Sequence, residues 1–291
     1  MTQPTQIGYL AYLRLKVLVT CIRLVVKVES FVRLRRDRLL TQKMGARVET
    51  LHIPSRDPGR FITADLYSPP STDSPKGILI NWHGSGFILP LHRMNNVFCA
   101  HVAQHAEDAH DVTRWAVAQT DRFDKTRLAV SGFSAGATIA LALAIEPPPE
   151  SVPVSAAVVL YPFTDMSIAP EAKSVPNPIN APPPSIGHIF NDSYAFDKST
   201  RTNPLISPGL ADPSMFPDTV GILTCDGDIL EPEGIALARK LEDDGKKVSL
   251  NMMEGVPHSF DTGVVEGTFH WQKREEAYEW AVEVLKDALR L

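Results

Sequence analysis

Short apolar runs of strand length, separated by helix-length segments, are what most narrows the folds open to this chain. Ile78 to Trp82, Leu128 to Ser131, Val154 to Leu160 and Val220 to Thr224 are such runs, and Val248 to Met252 completes the series. A run that is apolar without alternation belongs to a strand buried on both faces, which requires helices above and below a mostly parallel sheet. Helical patterns stand between and after the runs, at Ala106 to Ala118, Ala135 to Ala144, Gly234 to Leu241 and about Lys273 to Leu289. Ahead of them, Arg47 to Ile53 and Phe61 to Tyr67 read as two strands joined by the turn Asp57-Pro58-Gly59. The stretch from Asp165 to Asp218 has no clear period and reads as an insertion over a site rather than as sheet. At 291 residues and 44% hydrophobic content, the chain is expected to be one α/β domain with a full core.

Charge and cysteine content limit the partners. A net charge of −5 argues against nucleic acid, whose phosphates need a basic surface. Cys21, Cys99 and Cys225 are too few and too scattered for a disulfide framework, so a reducing, cytoplasmic setting is the default expectation. The first forty residues differ from the rest. Ile7 to Val28 is apolar but broken by Arg14, Lys16, Arg23 and Lys27, and no cleavage site follows it. Its longest uncharged stretch, Val17 to Ile22, is far short of the roughly 20 residues that span a bilayer. On a helix, Lys16, Arg23 and Lys27 share a face with Arg14 opposite. Two readings stay open: a helix packed on its own domain, which is favoured, and a basic amphipathic helix lying on an anionic membrane. Arg33, Arg35, Arg36 and Arg38 are read as a solvated face. Nothing in the sequence speaks to oligomeric state.

The chemistry begins at Gly132-Phe133-Ser134-Ala135-Gly136, directly after an apolar strand and directly before an Ala-rich helix. A nucleophile at that junction sits on a sharp turn, and the two glycines remove side chains where strand and helix would collide. The pattern alone arises by chance about 0.1 times in such a chain, so its setting is what gives it weight. His83-Gly84-Ser85-Gly86-Phe87 ends the Ile78 strand. Small residues there let backbone N–H groups reach a developing oxyanion, and the natural donors are the amides of Ser85, Gly86 and Ala135. Ser85 lacks the elbow setting and is discounted as a rival nucleophile.

Two further segments follow predicted strands: Asp226-Gly227-Asp228-Ile229-Leu230-Glu231-Pro232-Glu233-Gly234 and Gly255-Val256-Pro257-His258-Ser259-Phe260. Catalytic groups gather at the carboxyl ends of strands in such sheets. The order Ser134, then an acid, then His258 suits a triad in which imidazole accepts the serine proton and a carboxylate fixes its tautomer. Asp226 and Asp228 compete for the acid role, and their chemistry alone does not separate them. His101, His105 and His110 lack the partners of a zinc motif and are read as solvated helix residues, and His92 and His188 are assigned nothing. No metal site and no cofactor are expected.

Together, His83-Gly84-Ser85-Gly86, Gly132-Phe133-Ser134-Ala135-Gly136, Asp228-Ile229-Leu230 with Glu233-Gly234, and Pro257-His258-Ser259-Phe260 resemble the hormone-sensitive-lipase-like family of α/β-hydrolases from about residue 45 onward. The resemblance selects Asp228 as the acid. It implies carboxylic ester hydrolysis on small or medium acyl esters, under a cap formed by residues 1 to 45 and about 165 to 217. Residues 46 to 291 would then be the catalytic domain. Ser85 departs from the family's usual glycine, which matters only if its backbone needs positive φ.

A larger departure is the short interval from Gly86 to Ser134. The family places a further strand there, interior to the sheet, whereas here Val97 to Gln104 reads as helix and runs into the next helix. Loss of an interior strand leaves unpaired backbone groups, costing about 1–3 kcal/mol each when buried. The expectation is that Phe61 to Tyr67 moves over to pair beside Ile78 to Trp82, or that stability is poor. A non-catalytic ligand-binding relative, or an inactive shortened chain, is the alternative to an esterase.

Overall fold

The computed structural model describes residues 8–55, 58–68, 76–105, 123–147 and 153–289. The helix expected at Ala106 to Ala118 lies outside them, as do His110 and part of the Asp57 turn. Helix α1 spans Tyr9–Lys43, followed by the strands β1 (Arg47–Pro54), β2 (Phe61–Ser68) and β3 (Lys76–Trp82). Next come α2 (Asn96–His105), β4 (Phe123–Phe133), α3 (Ala135–Ile145) and β5 (Ala156–Leu160). The chain closes with α4 (Pro184–Tyr194), β6 (Thr219–Cys225), α5 (Glu231–Asp243), β7 (Lys247–Met253) and α6 (Phe269–Leu289). Residues 165–217 hold α4 and short 3-10 turns and contribute no strand.

Strands β3 to β7 form one parallel sheet in the order β3-β4-β5-β6-β7. Apart from the edge strand β7, where Leu250 and Met252 are exposed, the lack of alternation in their sequences has a direct cause. In β5 every residue is buried, with Ala156, Val158 and Leu160 facing α6 and Ala157 and Val159 facing α3. Strand β4 divides likewise, Ala129 and Phe133 on one face and Leu128 and Val130 on the other. Helices α3 and α5 cover one side through Leu141, Leu237 and Leu241, and α2 and α6 cover the other through Phe98, Tyr278 and Leu285. Burying one such aliphatic side chain contributes about 1.5–3 kcal/mol, so this two-sided core is the dominant stabilising term.

The expected rearrangement of β2 does not occur. Strand β2 pairs antiparallel with β1 in a separate two-stranded sheet, from Arg47 opposite Ser68 to Pro54 opposite Phe61, and β3 stands at the edge of the larger one. Side chains hold β2 instead. Leu66 enters the core, the Tyr67 hydroxyl donates to Asn96 on α2 (2.8 Å), and Asp65 accepts from Arg93 (2.6 Å). Among the described residues, the interval from Gly86 to Ser134 holds α2 and β4 and no other strand.

Helix α1 turns Leu15, Val19, Ile22, Val26, Leu34 and Thr41 toward the protein, a stripe with helical period. It grips two segments that border the site. Arg23 donates to the Ile88 carbonyl (2.8 Å), and Arg36 and Asp37 hold Gly263 through its carbonyl (2.6 Å) and its amide (2.9 Å). Burial pushes the Asp37 carboxyl up to about 6, against the opposing pull of the Gly263 amide and the Arg274 charge. A carboxyl that binds its proton more tightly when folded loses stability as pH rises, here between about 4 and 6. Asp37→Asn keeps an acceptor for Gly263 and removes the ionisation. It is expected to raise the melting temperature at pH 8, by up to about 3 kcal/mol of stability, and to change little at pH 4. Thermal melts of the two proteins at both pH values check this.

Candidate active site

Ser134 sits between β4 and α3 with φ 53° and ψ −122°, a strained setting for a residue with a side chain. Close packing maintains it. A β-carbon on Gly132 would lie 2.3 Å from the Gly136 carbonyl oxygen, and one on Gly136 would lie 2.2 Å from that of Trp82 and 2.5 Å from that of His83. Helix α3 thus starts in contact with the end of β3, which brings the His83 turn beside Ser134. The Ser134 amide is occupied by the Leu160 carbonyl (3.0 Å). Ala135 begins the first turn of α3, where an amide has no acceptor within its own helix.

In the facing turn, the Gly84 amide donates to Asn95 Oδ1 (3.2 Å) and His83 Nδ1 contacts the Gly84 carbonyl (3.0 Å). Burial lowers the affinity of the His83 ring for a proton. The left-handed residues are Gly86 (φ 50°) and Phe87 (φ 65°), and Ser85 is not among them. Its side chain therefore costs the backbone nothing, and the departure from glycine at this position is tolerated. Ser85, Gly86 and Ala135 all line the cavity next to Ser134.

Strands β6 and β7 deliver the remaining groups. The Ser134 hydroxyl lies 2.8 Å from His258 Nε2, and His258 Nδ1 lies 2.6 Å from Asp228 Oδ2. The other Asp228 oxygen accepts from the Leu230 amide (3.0 Å), and Asp228 as a residue is 3% exposed. Burial lowers the pKa of the His258 ring, but the charge and hydrogen bond of Asp228 outweigh it, and the net shift is upward from the usual 6.5. Asp226, the competing acid, accepts instead from the Gly255 amide (2.8 Å) and so ties down the loop that carries His258. One turn thus splits two adjacent carboxylates between separate jobs.

A second layer lies behind His258 and was not anticipated from the sequence. The Tyr161 ring packs edge-on against the imidazole, with centroids 4.8 Å apart, and its hydroxyl donates to Asp261 (2.7 Å). Tyr278 from α6 donates to the other Asp261 oxygen (2.7 Å). The one available signal was a carboxylate three positions after His258. Glu233, noted only as part of a motif, accepts from the Thr164 amide (2.8 Å) and pairs with Lys173, whose ammonium lies 4.0 Å from the Phe163 ring centroid. Burial pushes the Glu233 carboxyl up to about 7 against the pull of that ammonium.

His101 is a correction. Expected on a solvated face, it is buried and meets the Tyr278 ring edge-on at 5.8 Å, because α2 turns it toward α6. His92 bonds Asp65 (2.8 Å) and His188 bonds Glu171 (2.7 Å), both away from Ser134. No cluster of three or more potential metal ligands occurs among the described residues.

Ser134 and His258 open into a cavity of about 230 Å³. Phe87, Phe163, Ile179 and Phe190 supply apolar walls, and Phe87 stacks on Tyr194 at 4.1 Å. A family model described as alpha/beta hydrolase fold matches residues 102–262. The ethyl acetate hydrolase of Pseudomonas putida is 28% identical over 241 residues, covering 73% of this chain and 75% of that protein. Among solved structures, the esterase LipW from Mycobacterium marinum aligns with a TM-score of 0.76 at 22% identity, covering 93% of this chain and 90% of its own. The hyperthermophilic esterase from the archaeon Pyrobaculum calidifontis aligns at 0.72 and 21%, over 93% and 94% of the two chains. At these identities the structural likeness speaks for the fold.

Proposed function

This chain belongs to the hormone-sensitive-lipase-like family of α/β-hydrolases and is a serine carboxylesterase-type hydrolase, and on that premise we propose that it cleaves small and medium acyl esters through a covalent acyl-enzyme on Ser134. The observation that carries the reading is the unbroken relay from Ser134 through His258 to a buried Asp228, at 2.8 and 2.6 Å, opening into an apolar cavity.

Ser134 Oγ attacks the ester carbonyl while His258 Nε2 takes its proton. Negative charge gathers on the former carbonyl oxygen, and the amides of Ser85, Gly86 and Ala135 hold it. Asp228 keeps Nδ1 protonated and balances the imidazolium. His258 then returns the proton to the departing alkoxide, the alcohol leaves, and the acyl group stays on Ser134. Water repeats the sequence with His258 as base, releasing the carboxylic acid and restoring the hydroxyl. Residues 8–45 and 165–217 serve as the cap, with Phe190 and Ile179 closing the acyl side. A cavity of about 230 Å³ suits a short acyl chain, in keeping with a relative named for ethyl acetate.

Hydrolysis of p-nitrophenyl acetate across pH tests this. The base must be neutral, so kcat/KM is expected to fall as pH drops through an apparent pKa above 6.5, in the direction that Asp228 imposes on His258. Saturable binding of a short ester with no turnover at any pH would instead mark a non-catalytic receptor.

A further inference from the structure

Helix α1 is apolar on two opposite faces, and the protein covers only one of them. Leu10, Leu13, Val17, Leu24, Val28 and Phe31 recur at intervals of three, four and seven on the side away from the body, and all are exposed, Val28 by 76%. The double stripe explains why the helix lacks one strong apolar side despite its many Leu and Val residues. Charge accompanies the outer stripe. Between Tyr9 and Lys43 stand nine basic side chains against Glu29 and Asp37, a net +7 on one helix of a chain carrying −5, so the remainder carries −12. Lys16 and Lys27 flank the outer stripe on one side and Arg14 on the other, while Arg23 reaches back to the Ile88 carbonyl.

We propose that α1 docks this protein onto anionic lipid surfaces, its outer stripe entering the headgroup boundary and its flanking lysines and arginines contacting lipid phosphates and carboxylates. Among the described residues no helix is long and apolar enough to cross a membrane, so the helix lies in the surface plane. The stripe from Leu10 to Phe31 runs about 30 Å along the helix, a line of contact rather than a single anchor. A second copy of the chain is the poorer occupant, because a homotypic pair would set +7 against +7, whereas an anionic surface lowers the energy of that same charge. The contacts of Arg23 with Ile88 and of Asp37 with Gly263 tie the docked helix to the segments that carry Phe87 and His258. The docking does not depend on the esterase reading, and its test is independent of turnover.

Co-flotation of the full chain with vesicles tests the proposal. Vesicles with about 30% phosphatidylserine are expected to carry the protein upward, pure phosphatidylcholine vesicles far less, and raised salt should weaken the binding. The variant Leu24→Gln/Val28→Gln/Phe31→Gln should lose at least about tenfold in partition. Replacing Arg14, Lys16 and Lys27 with Gln should cost about fivefold per charge, roughly a hundredfold together. Both variants should melt cooperatively and as the parent does, since the altered side chains are exposed. Absence of flotation with anionic vesicles, or equal flotation with neutral ones, would overturn the proposal. So would a solution dimer, seen by light scattering, that the Leu24→Gln/Val28→Gln/Phe31→Gln variant abolishes, because the stripe would then belong to a second copy.

Discussion

Replacing Ser134 with alanine is expected to lower kcat for p-nitrophenyl acetate by about 10⁴- to 10⁶-fold while leaving the fold and the melting temperature nearly unchanged. The size follows from how the groups act together. Without the hydroxyl, His258 has no proton to accept and only the oxyanion donors and the cavity still assist the reaction. Stability should not suffer, because alanine fits the turn where serine already tolerates φ 53°. The adjacent carboxylates sharpen the test. Asp228→Asn should cost about 10⁴-fold, since an amide can hold the wrong imidazole tautomer. It should also shift the acid limb of the pH profile downward, because the charge that raises the His258 pKa is gone. Asp226→Asn should leave kcat close to the parent value, as an asparagine oxygen can still accept from the Gly255 amide. Equal losses from the two asparagine variants would remove the distinction between a catalytic and a loop-holding carboxylate.

Gly136→Ala carries the other large effect, and it falls on stability. A methyl group there would sit 2.2 Å from the Trp82 carbonyl oxygen and 2.5 Å from that of His83. Both obstacles are backbone at the end of β3, so no side-chain rotation relieves the contact. Helix α3 must withdraw from β3, opening the core that Ala137, Ala140 and Leu141 fill. A loss of about 4 kcal/mol or more is expected, read as a fall of about 10 °C in melting temperature or as insoluble protein. Gly84→Ala provides the contrast. Its β-carbon would meet nothing closer than 3.5 Å, so its melt should match the parent. The two glycines look alike in the sequence, and only their surroundings separate them.

That contrast marks how far the chain could be read without coordinates. The parallel strands were legible because burial on both faces leaves few positions for a polar residue, as the uninterrupted Ala156–Leu160 shows. Ser134 and His258 were legible because each follows a predicted strand of the sheet, and the topology then had little freedom in where to bring them. Choosing between Asp226 and Asp228 was beyond the physics of the sequence. Two positions within one turn reverse which carboxylate meets the imidazole, and resemblance to a family made the selection. The placement of β2 was misjudged because strand pairing was expected to compensate for a missing neighbour, whereas Leu66, Tyr67 and Asp65 hold it through side chains. Contacts between remote parts of the chain were silent. Tyr161 and Asp261 lie 100 positions apart, and neither advertises the other. Arg274, on a helix rich in charge, is fully buried against the Trp271 ring at 4.1 Å, where sequence pattern would put it in water.

The identity of the nucleophile is open to direct observation. Diethyl p-nitrophenyl phosphate traps an activated serine as a stable phosphoryl ester, and peptide mapping by mass spectrometry locates the adduct. The expected result is one adduct per chain, on Ser134, forming as esterase activity disappears and absent when Asp228 is replaced by asparagine. An adduct on Ser85 or any other residue, or full loss of activity with Ser134 unmodified, would contradict the assignment of Ser134, His258 and Asp228 as one catalytic unit.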